Sequence, residues 1–559
     1  MARLRGVAHG RSAGHSWCRV LVPILFASGA CVLPAATAVD GATGGAGGSG
    51  ATGGSGAGGS GATGGSGAGG SGATGGSGAG GGVCGFGAGG EAGHTGEDQW
   101  SGQYGLANYE EALSVALDGT GNVFVTGVFN TTTNLGGGQL DSIGKGDAFL
   151  GKWSPAGAPL ASRPIGSLED EWGFTVTVGP LGGVYLGGSH RDDLLLGNAT
   201  VPHASADEDA FIVKLNGSLV ADWALSVAGT GSQATMGLAT DAAENVYAYV
   251  VSDGDIASPV DLPAGASDIA ILKLAPDGTV LWATAFGDGQ VQSMWAGTVV
   301  AFDPVAANVV VGGMFRSQTQ TSLDWNFLGG TCPPLANVSG QPLGFVARLD
   351  ADGHCVTSRR IGTPGVAEVP RLELALGPTG DVYVAGQFHG TLDFSDGADP
   401  CAQLVAGPAS ADAFVARLGP DAGWVPGVSW ARRIGEPGVG DNGQTSAGLH
   451  VDDADRVTVA FLTSGTVSAG GETFYGTGAE EDIVMAKYGP SGEHLWSHFY
   501  ATAGDLHDTP RALACRQDGV CALVGRRGTD GAGTGSLDFG NTVLPPPSWF
   551  DMYVAQFAP

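Results

Sequence analysis

From about residue 99 onward, short apolar runs bounded by Gly, Asp, Asn and Pro recur to the last residues of the chain, and they are of two alternating kinds. One kind opens, in most copies, on an aspartate and ends on a cation. Its copies are Asp147-Ala-Phe149-Leu-Gly-Lys152, Asp209-Ala-Phe211-Ile-Val-Lys214, Asp268-Ile-Ala-Ile-Leu-Lys273, Gly344-Phe-Val-Ala-Arg348, Asp412-Ala-Phe-Val-Ala-Arg417, Asp482-Ile-Val-Met-Ala-Lys487 and Asp551-Met-Tyr-Val-Ala-Gln556, seven in all. Between them lie pairs of apolar runs around a tight turn, such as Leu113 to Gly127, with cognates near Val176, Leu238, Val299, Leu372, Leu449 and Ala512. A period of about sixty to seventy residues holds four short strands and their turns, the content of one propeller blade. Runs such as Phe211-Ile-Val and Val382-Tyr-Val384 are apolar on both faces, as in a sheet covered on both sides.

In the fifth unit the strands, termed a to d, read as Arg371 to Leu376, Asp381 to Phe388, Asp412 to Leu418 and Val428 to Ile434. The a to b turns (Asp118-Gly-Thr-Gly121, Gly377-Pro-Thr-Gly380) and c to d turns (Ala275-Pro-Asp-Gly278, Gly489-Pro-Ser-Gly492) are short and supply the left-handed backbone a hairpin needs. The b to c and d to a connections are longer and mutually different. In a meander the two short classes lie at one end of the blade and the two variable classes at the other, so one propeller face is plain and the opposite face elaborated.

The expectation is an all-β, seven-bladed β-propeller of four-stranded antiparallel blades over residues 99–559. About 460 residues exceed the size at which one core keeps growing, whereas radial repetition lets each blade bury its faces on its neighbours. Trp100-Ser-Gly-Gln-Tyr104-Gly105 matches a strand d such as Trp282-Ala-Thr-Ala-Phe286-Gly287 but has no strand c before it. Asp551 to Phe557 is a strand c with no strand d after it. Pairing of Gln99 to Tyr104 with Asp551 to Phe557 would complete blade seven and remove the open sheet edges.

These units resemble the SBBP-type bacterial β-propeller repeats: an Asp-Ala-Phe-Val-Ala-Lys strand, an Asp-Gly turn, a Trp-containing strand and a Gly-Asn-Val-Tyr-Val-Thr-Gly hairpin. Gly121-Asn-Val-Phe-Val-Thr-Gly127, Gly380-Asp-Val-Tyr-Val-Ala-Gly386 and Val280-Leu-Trp282 match well, and blades six and seven less well. The resemblance implies an exported, envelope or extracellular bacterial protein and brings no shared catalytic residues.

Before the repeats, residues 1–38 read as an export signal, with Arg3, Arg5, Arg11 and Arg19, an apolar stretch from Val20 to Leu33, and Ala36-Thr37-Ala38. Cleavage after Ala38, lipidation of Cys31 within Ala27-Ser-Gly-Ala-Cys31, and an uncleaved anchor are the three outcomes open there. Residues 39–98 are dominated by Gly, Ala, Ser and Thr and read as a disordered tether; about 50 such residues reach about 40 Å as a random coil. Such a spacer stands the propeller off from something.

Charge narrows the partners. The chain has 24 Lys and Arg against 54 Asp and Glu, a formal charge of −30, so nucleic acid and anionic lipid are poor ligands. Many carboxylates fall in the variable connections: Glu110, Glu111, Glu169, Asp170, Glu171, Asp192, Asp193, Glu436, Asp441, Asp505 and Asp508. They read first as solvating charge and second as sites for Ca2+ or a basic partner. No segment has EF-hand spacing, and Asp350-Ala-Asp352-Gly353 sits where a hairpin turn needs Asp and Gly anyway. His494 and His498 flank a strand rather than sharing a helix face. Arg371 and Arg511 take matching positions at the start of strand a; each follows an acid by three residues, Glu368 and Asp508, so a local ion pair is expected, with an anion site as the alternative. The motifs of metalloproteases, phosphate loops and serine hydrolases are absent from the repeats, and no catalytic or cofactor-binding residue is assigned.

Two functions stay open. The first is a non-enzymatic interaction module, monomeric and exported, whose elaborated face binds a protein or glycan. The second is a propeller enzyme, a lyase, hydrolase or quinoprotein-like oxidoreductase, working at the channel mouth. The cysteines bear on compartment: beyond Ala38 lie Cys84, Cys332, Cys355, Cys401, Cys515 and Cys521, which allow fifteen pairings. One is argued locally. Cys515 stands where Leu117 and Leu376 do, and Cys521 where Val123 and Val382 do, on facing strands across a turn, close enough for a disulfide after a small pinch; two buried thiols packing as small apolar residues are the alternative.

Overall fold

In a computed structural model the chain is described over residues 95–559, apart from 107–108, 197–198, 263–267, 288–298, 317–321, 324–331, 338, 395–402, 407–410, 420–427, 436–443, 477–480, 503–506 and 529–534. The export signal, Cys31, Ala38, Cys84, Cys401, Glu436, Asp441, Asp505 and the tether as far as residue 94 lie outside these residues. The described elements are all strands, and seven four-stranded antiparallel sheets form a seven-bladed propeller. The innermost strands are Glu110–Leu117, Trp172–Val178, Gln233–Thr240, Val300–Asp303, Ala367–Leu376, Gln444–Val451 and His507–Cys515. Each packs beside the next, and the last packs beside the first, so the ring is closed.

Closure takes the form read from the sequence. Asp98–Tyr104 pairs antiparallel with Phe550–Phe557, Trp100 opposite Gln556 and Tyr104 opposite Met552, as strand d of blade seven. Trp100 Nε1 donates to Gln556 Oε1 at 2.8 Å and to the Pro155 carbonyl of blade one at 3.1 Å, tying three segments together. Gly96 lies against Trp496 of blade six, and His498 Nε2 donates to the Thr95 carbonyl at 2.6 Å.

The repeated residues each have a mechanical task. The aspartate that opens strand c turns back to the b to c loop: Asp147 accepts the Ile143 N–H (2.8 Å), Asp209 the Ala204 N–H (2.6 Å) and Asp551 the Ser548 N–H (3.2 Å). Its carboxylate lies over the glycine that ends strand d; a Cβ on Gly166 would fall 2.1 Å from Asp147, and one on Gly105 2.5 Å from Asp551. At the other end of strand c, the cation lies over an aromatic ring of strand b and reaches the next blade. Lys214 sits 5.3 Å from the Tyr185 ring centroid and donates to the Pro276 carbonyl; Arg417 sits 5.5 Å from Tyr383 and donates to Pro490. Such contacts contribute about 0.5–2 kcal/mol each.

The strand d tryptophan makes the parallel connection. Trp223, Trp282 and Trp430 donate their indole N–H to Pro276, Ala351 and Pro490 in the c to d turn of the following blade, at 2.9, 2.7 and 2.9 Å. The turn glycine rests on the ring, because a Cβ on Gly278 would fall 2.8 Å from Trp223. The blade middles are buried on both faces, as at Val184–His190 and Asp209–Leu215. Ile256–Ser258, from the b to c connection of blade three, adds to the outer edge of blade two and covers it.

Cys515 and Cys521 are directly paired residues of one hairpin and are disulfide-bonded, and a second disulfide joins Cys332 to Cys355. Gly278→Ala and Gly182→Ala separate the tryptophan contact from backbone strain. Both glycines have positive φ, +87° and +93°, but nothing lies within 4 Å of a Cβ on Gly182. Gly182→Ala is expected to cost about 1–3 kcal/mol in chemical denaturation, and Gly278→Ala to cost more; equal costs would remove the tryptophan contact as a contributor.

Candidate functional site

At the elaborated end, the first rung of strand a carries a polar residue whose side chain turns into the blade. In blades three and six it is Gln233 and Gln444, opposite Ser252 and Thr463. Gln233 Nε2 donates to the Thr230 and Gly231 carbonyls of the preceding connection. Blade one places Glu110 there, opposite Phe129, and blade two has Glu171 just before its first rung, Trp172 with Ser189; the Glu171 carboxylate accepts the Ser167 N–H at 2.6 Å. Both glutamates are fully buried. Burial, with Asp551 beside Glu110 and Asp147 beside Glu171, raises each carboxyl to about 8. At neutral pH they are protonated acids doing the work of glutamine.

Thus four of the acids expected to solvate the loops, Glu110, Glu111, Glu171 and Asp508, are buried instead; Glu169, Asp170, Asp192 and Asp193 stay at least partly exposed. The expected local ion pairs do not form either. Arg371 pairs with Glu373 (3.2 Å) rather than Glu368, and Arg511 with Glu111 of blade one (2.5 Å) rather than Asp508, which holds Arg527. Residues three apart lie about 10 Å apart along a strand, and in both strands a β-bulge between acid and arginine breaks the regular alternation and re-aims the arginine.

The Arg511 pairing builds a constellation across the seam between blades seven and one. The buried Glu111 carboxylate takes Arg511 Nε on Oε1, Arg526 Nε at 3.5 Å on the same oxygen, and the Tyr109 hydroxyl on Oε2. Arg526 Nη1 donates to the Tyr109 oxygen at 3.1 Å, and its guanidinium lies 4.8 Å from the Phe550 ring centroid and 5.9 Å from that of Tyr109. Next to it, Glu481 of blade six accepts the Thr509 hydroxyl at 2.6 Å and lies 3.7 Å from His507 Nδ1. Burial alone would raise the Glu111 carboxyl, but the two arginines and the Tyr109 O–H hold it below the usual carboxylate range. Burial and the Glu111 charge push the Tyr109 phenol far up, so it stays a donor.

The remaining sequence candidates stay apart. His494 Nε2 meets Ser497 Oγ at 3.0 Å while His498 turns to Thr95, so the two do not converge. Asp350, Asp352 and His354 do gather their ligand atoms. Asp350 Oδ1 accepts the N–H groups of Asp352 (3.0 Å) and His354 (2.9 Å), the pattern that shapes the Asp118 and Asp241 turns without a histidine, so these contacts report a turn.

No protein-family model matches the chain, and no curated protein does. Several solved structures are distantly similar to the chain, at TM-scores of 0.40 and below. A protein of unknown function from Dyadobacter fermentans is 9% identical over 82% of this chain and 99% of its own, with a TM-score of 0.35. A polysaccharide lyase, ulvan lyase, is 10% identical over 78% and 92%, with a TM-score of 0.40. The β-propeller domain of the Trilobed protease from Pyrococcus furiosus is 9% identical over 70% and 95%, with a TM-score of 0.30.

A group whose folded-state pKa is raised contributes stability below its unfolded value, near 4.5, and loses it as pH rises through the folded value, about 8 for Glu110 and Glu171. Glu110→Gln with Glu171→Gln is therefore expected to gain thermal midpoint over the wild type progressively from pH 5 to pH 8. A midpoint difference that stays constant across that range would contradict neutral glutamates.

Proposed function

We propose that this chain is an exported bacterial propeller held on a tether and acting as a non-enzymatic binding module, its elaborated face taking a macromolecular ligand outside the cell. The carrying observation is the polarity of the closing strand. Asp98 pairs with Phe557 at the end of the c to d turns, and Tyr104 leads into the variable connections. The chain thus enters the propeller at the plain end, and the face with the varied loops points away from the point of entry. The two disulfides agree with an oxidising compartment. Among the described residues no helix is long and apolar enough to cross a membrane.

The seam chemistry favours binding over proton transfer. Tyr109 is held protonated and Glu111 ionised, and the two acids with values near 8 are enclosed within blades rather than presented to a ligand. The test is a glycan and protein array probed with the chain after Ala38, with and without Ca2+, followed by hydrogen-exchange footprinting of any ligand captured. Protection is expected in variable connections such as 166–171 and 189–208. Protection confined to plain-face turns such as 118–122 and 275–279, or turnover of the ligand, would contradict the proposal.

A further inference from the structure

The seven units serve as controls for one another: a residue type shared at a rung serves the blade, and a departure needs another reason. Arg526 faces the second residue of strand c. The same rung holds Val128, Ser189, Val251, Met314, Gln387 and Leu462 in the other blades, all uncharged. Arg511 is the extra residue of the strand a bulge, which in blades one, two, three and six is Leu113, Phe174, Met236 and Ala447. A bulge on the innermost strand re-aims its side chain. Glu111 stands where those blades have Trp172, Ala234 and Thr445.

Among the described residues, blades one, two, three and six hold no arginine at these positions, and blade five holds Arg371, which pairs with Glu373 of its own strand; one seam alone brings together two arginines from one blade with a glutamate of the next, a tyrosine and a phenylalanine. The neighbouring Arg527 differs in kind. It is fully buried and bonded to Asp508, Gln103, Thr502 and the Leu544, Pro545 and Gly535 carbonyls, so it organises the loop. Arg511 and Arg526 share a single fully buried carboxylate and are 18% and 12% exposed, and Glu481 and His507 beside them are 21% and 26% exposed. A bare inorganic anion would meet Glu481 as a like charge. A ligand that carries hydroxyls as well as a carboxylate satisfies both sets, hydroxyls on Glu481 and His507 and carboxylate on the guanidinium groups, with the Phe550 and Tyr109 rings as apolar walls.

We propose that the seam between blades seven and one, at the elaborated end, is a binding site for a uronate unit of an acidic polysaccharide. Arg511 and Arg526 take its carboxylate, and Glu481 and His507 take its hydroxyls. The assignment rests on the binding-module reading and names its ligand class.

Calorimetric titration with an oligogalacturonate, a neutral oligosaccharide of equal length and a sulfated dextran tests it. The oligogalacturonate is expected to bind, and Arg511→Gln to weaken it by about tenfold or more. Arg511→Lys, which keeps the charge beside Glu111, should weaken binding less, and Arg371→Gln on blade five should leave it unchanged. A thermal melt of each variant reports folding; should Arg511→Gln melt early, the Arg511→Lys and Arg371→Gln comparison carries the test. Absence of oligogalacturonate binding, equal binding of the neutral sugar, equal binding of the sulfated dextran, or wild-type affinity in Arg511→Gln would each overturn the site. A ligand found on the arrays with a footprint on other elaborated loops would leave the module reading standing while this site fell. Cleavage of bound oligogalacturonate would leave the site standing and overturn the module reading.

Discussion

Everything in this propeller depends on one antiparallel pairing between the start of the described chain and its end. Each blade buries its faces against two neighbours, so an open seventh blade would expose a face and two sheet edges at once. The ladder from Asp98 to Tyr104 against Phe550 to Phe557 prevents this, and side chains reinforce it. Gln103 Nε2 donates to Asp551 at 2.6 Å while its Oε1 accepts from Arg527 at 3.2 Å. In the seventh copy of the repeat, Gln556 replaces the usual cation, and its amide oxygen receives the Trp100 indole N–H. The break between chain ends thus falls within a blade, where strand pairing spans it.

The architecture was readable because the residues that encode it recur with local geometry. An Asp-Ala-Phe run, a cation five residues on and a tryptophan in the following strand each act within one blade or on the next. Repetition makes them visible without an alignment of other chains. The Cys515 and Cys521 pairing was readable for the same reason, since the other hairpins supplied the register. The partner of Cys355 was not, because Cys332 lies in a long connection whose path no periodicity determines.

The candidate site was legible only in part. Arg511 stood out beside Arg371, but both partners were misassigned, because a β-bulge that the spacing does not reveal re-aims each arginine away from the acid three residues before it. Glu111 lies 400 positions from Arg511 and meets it only after the ring closes. The usable signal was the departure of blade seven from its siblings at Arg511 and Arg526. The burial of Glu110 and Glu171 could likewise be read from Gln233 and Gln444, which stand the same number of residues before the strand a bulge, once the units were aligned by register rather than by motif.

Closure is the central claim, and native-state hydrogen exchange on the intact chain tests it most directly. If the two terminal strands complete blade seven, the amides of 98–104 that face residues 550–557 are protected to the degree seen in the outer strands of the other blades, such as 280–286. Exchange of those amides well ahead of the outer strands of the other blades would show that the first strand is an ornament on an otherwise stable ring, and would contradict the account.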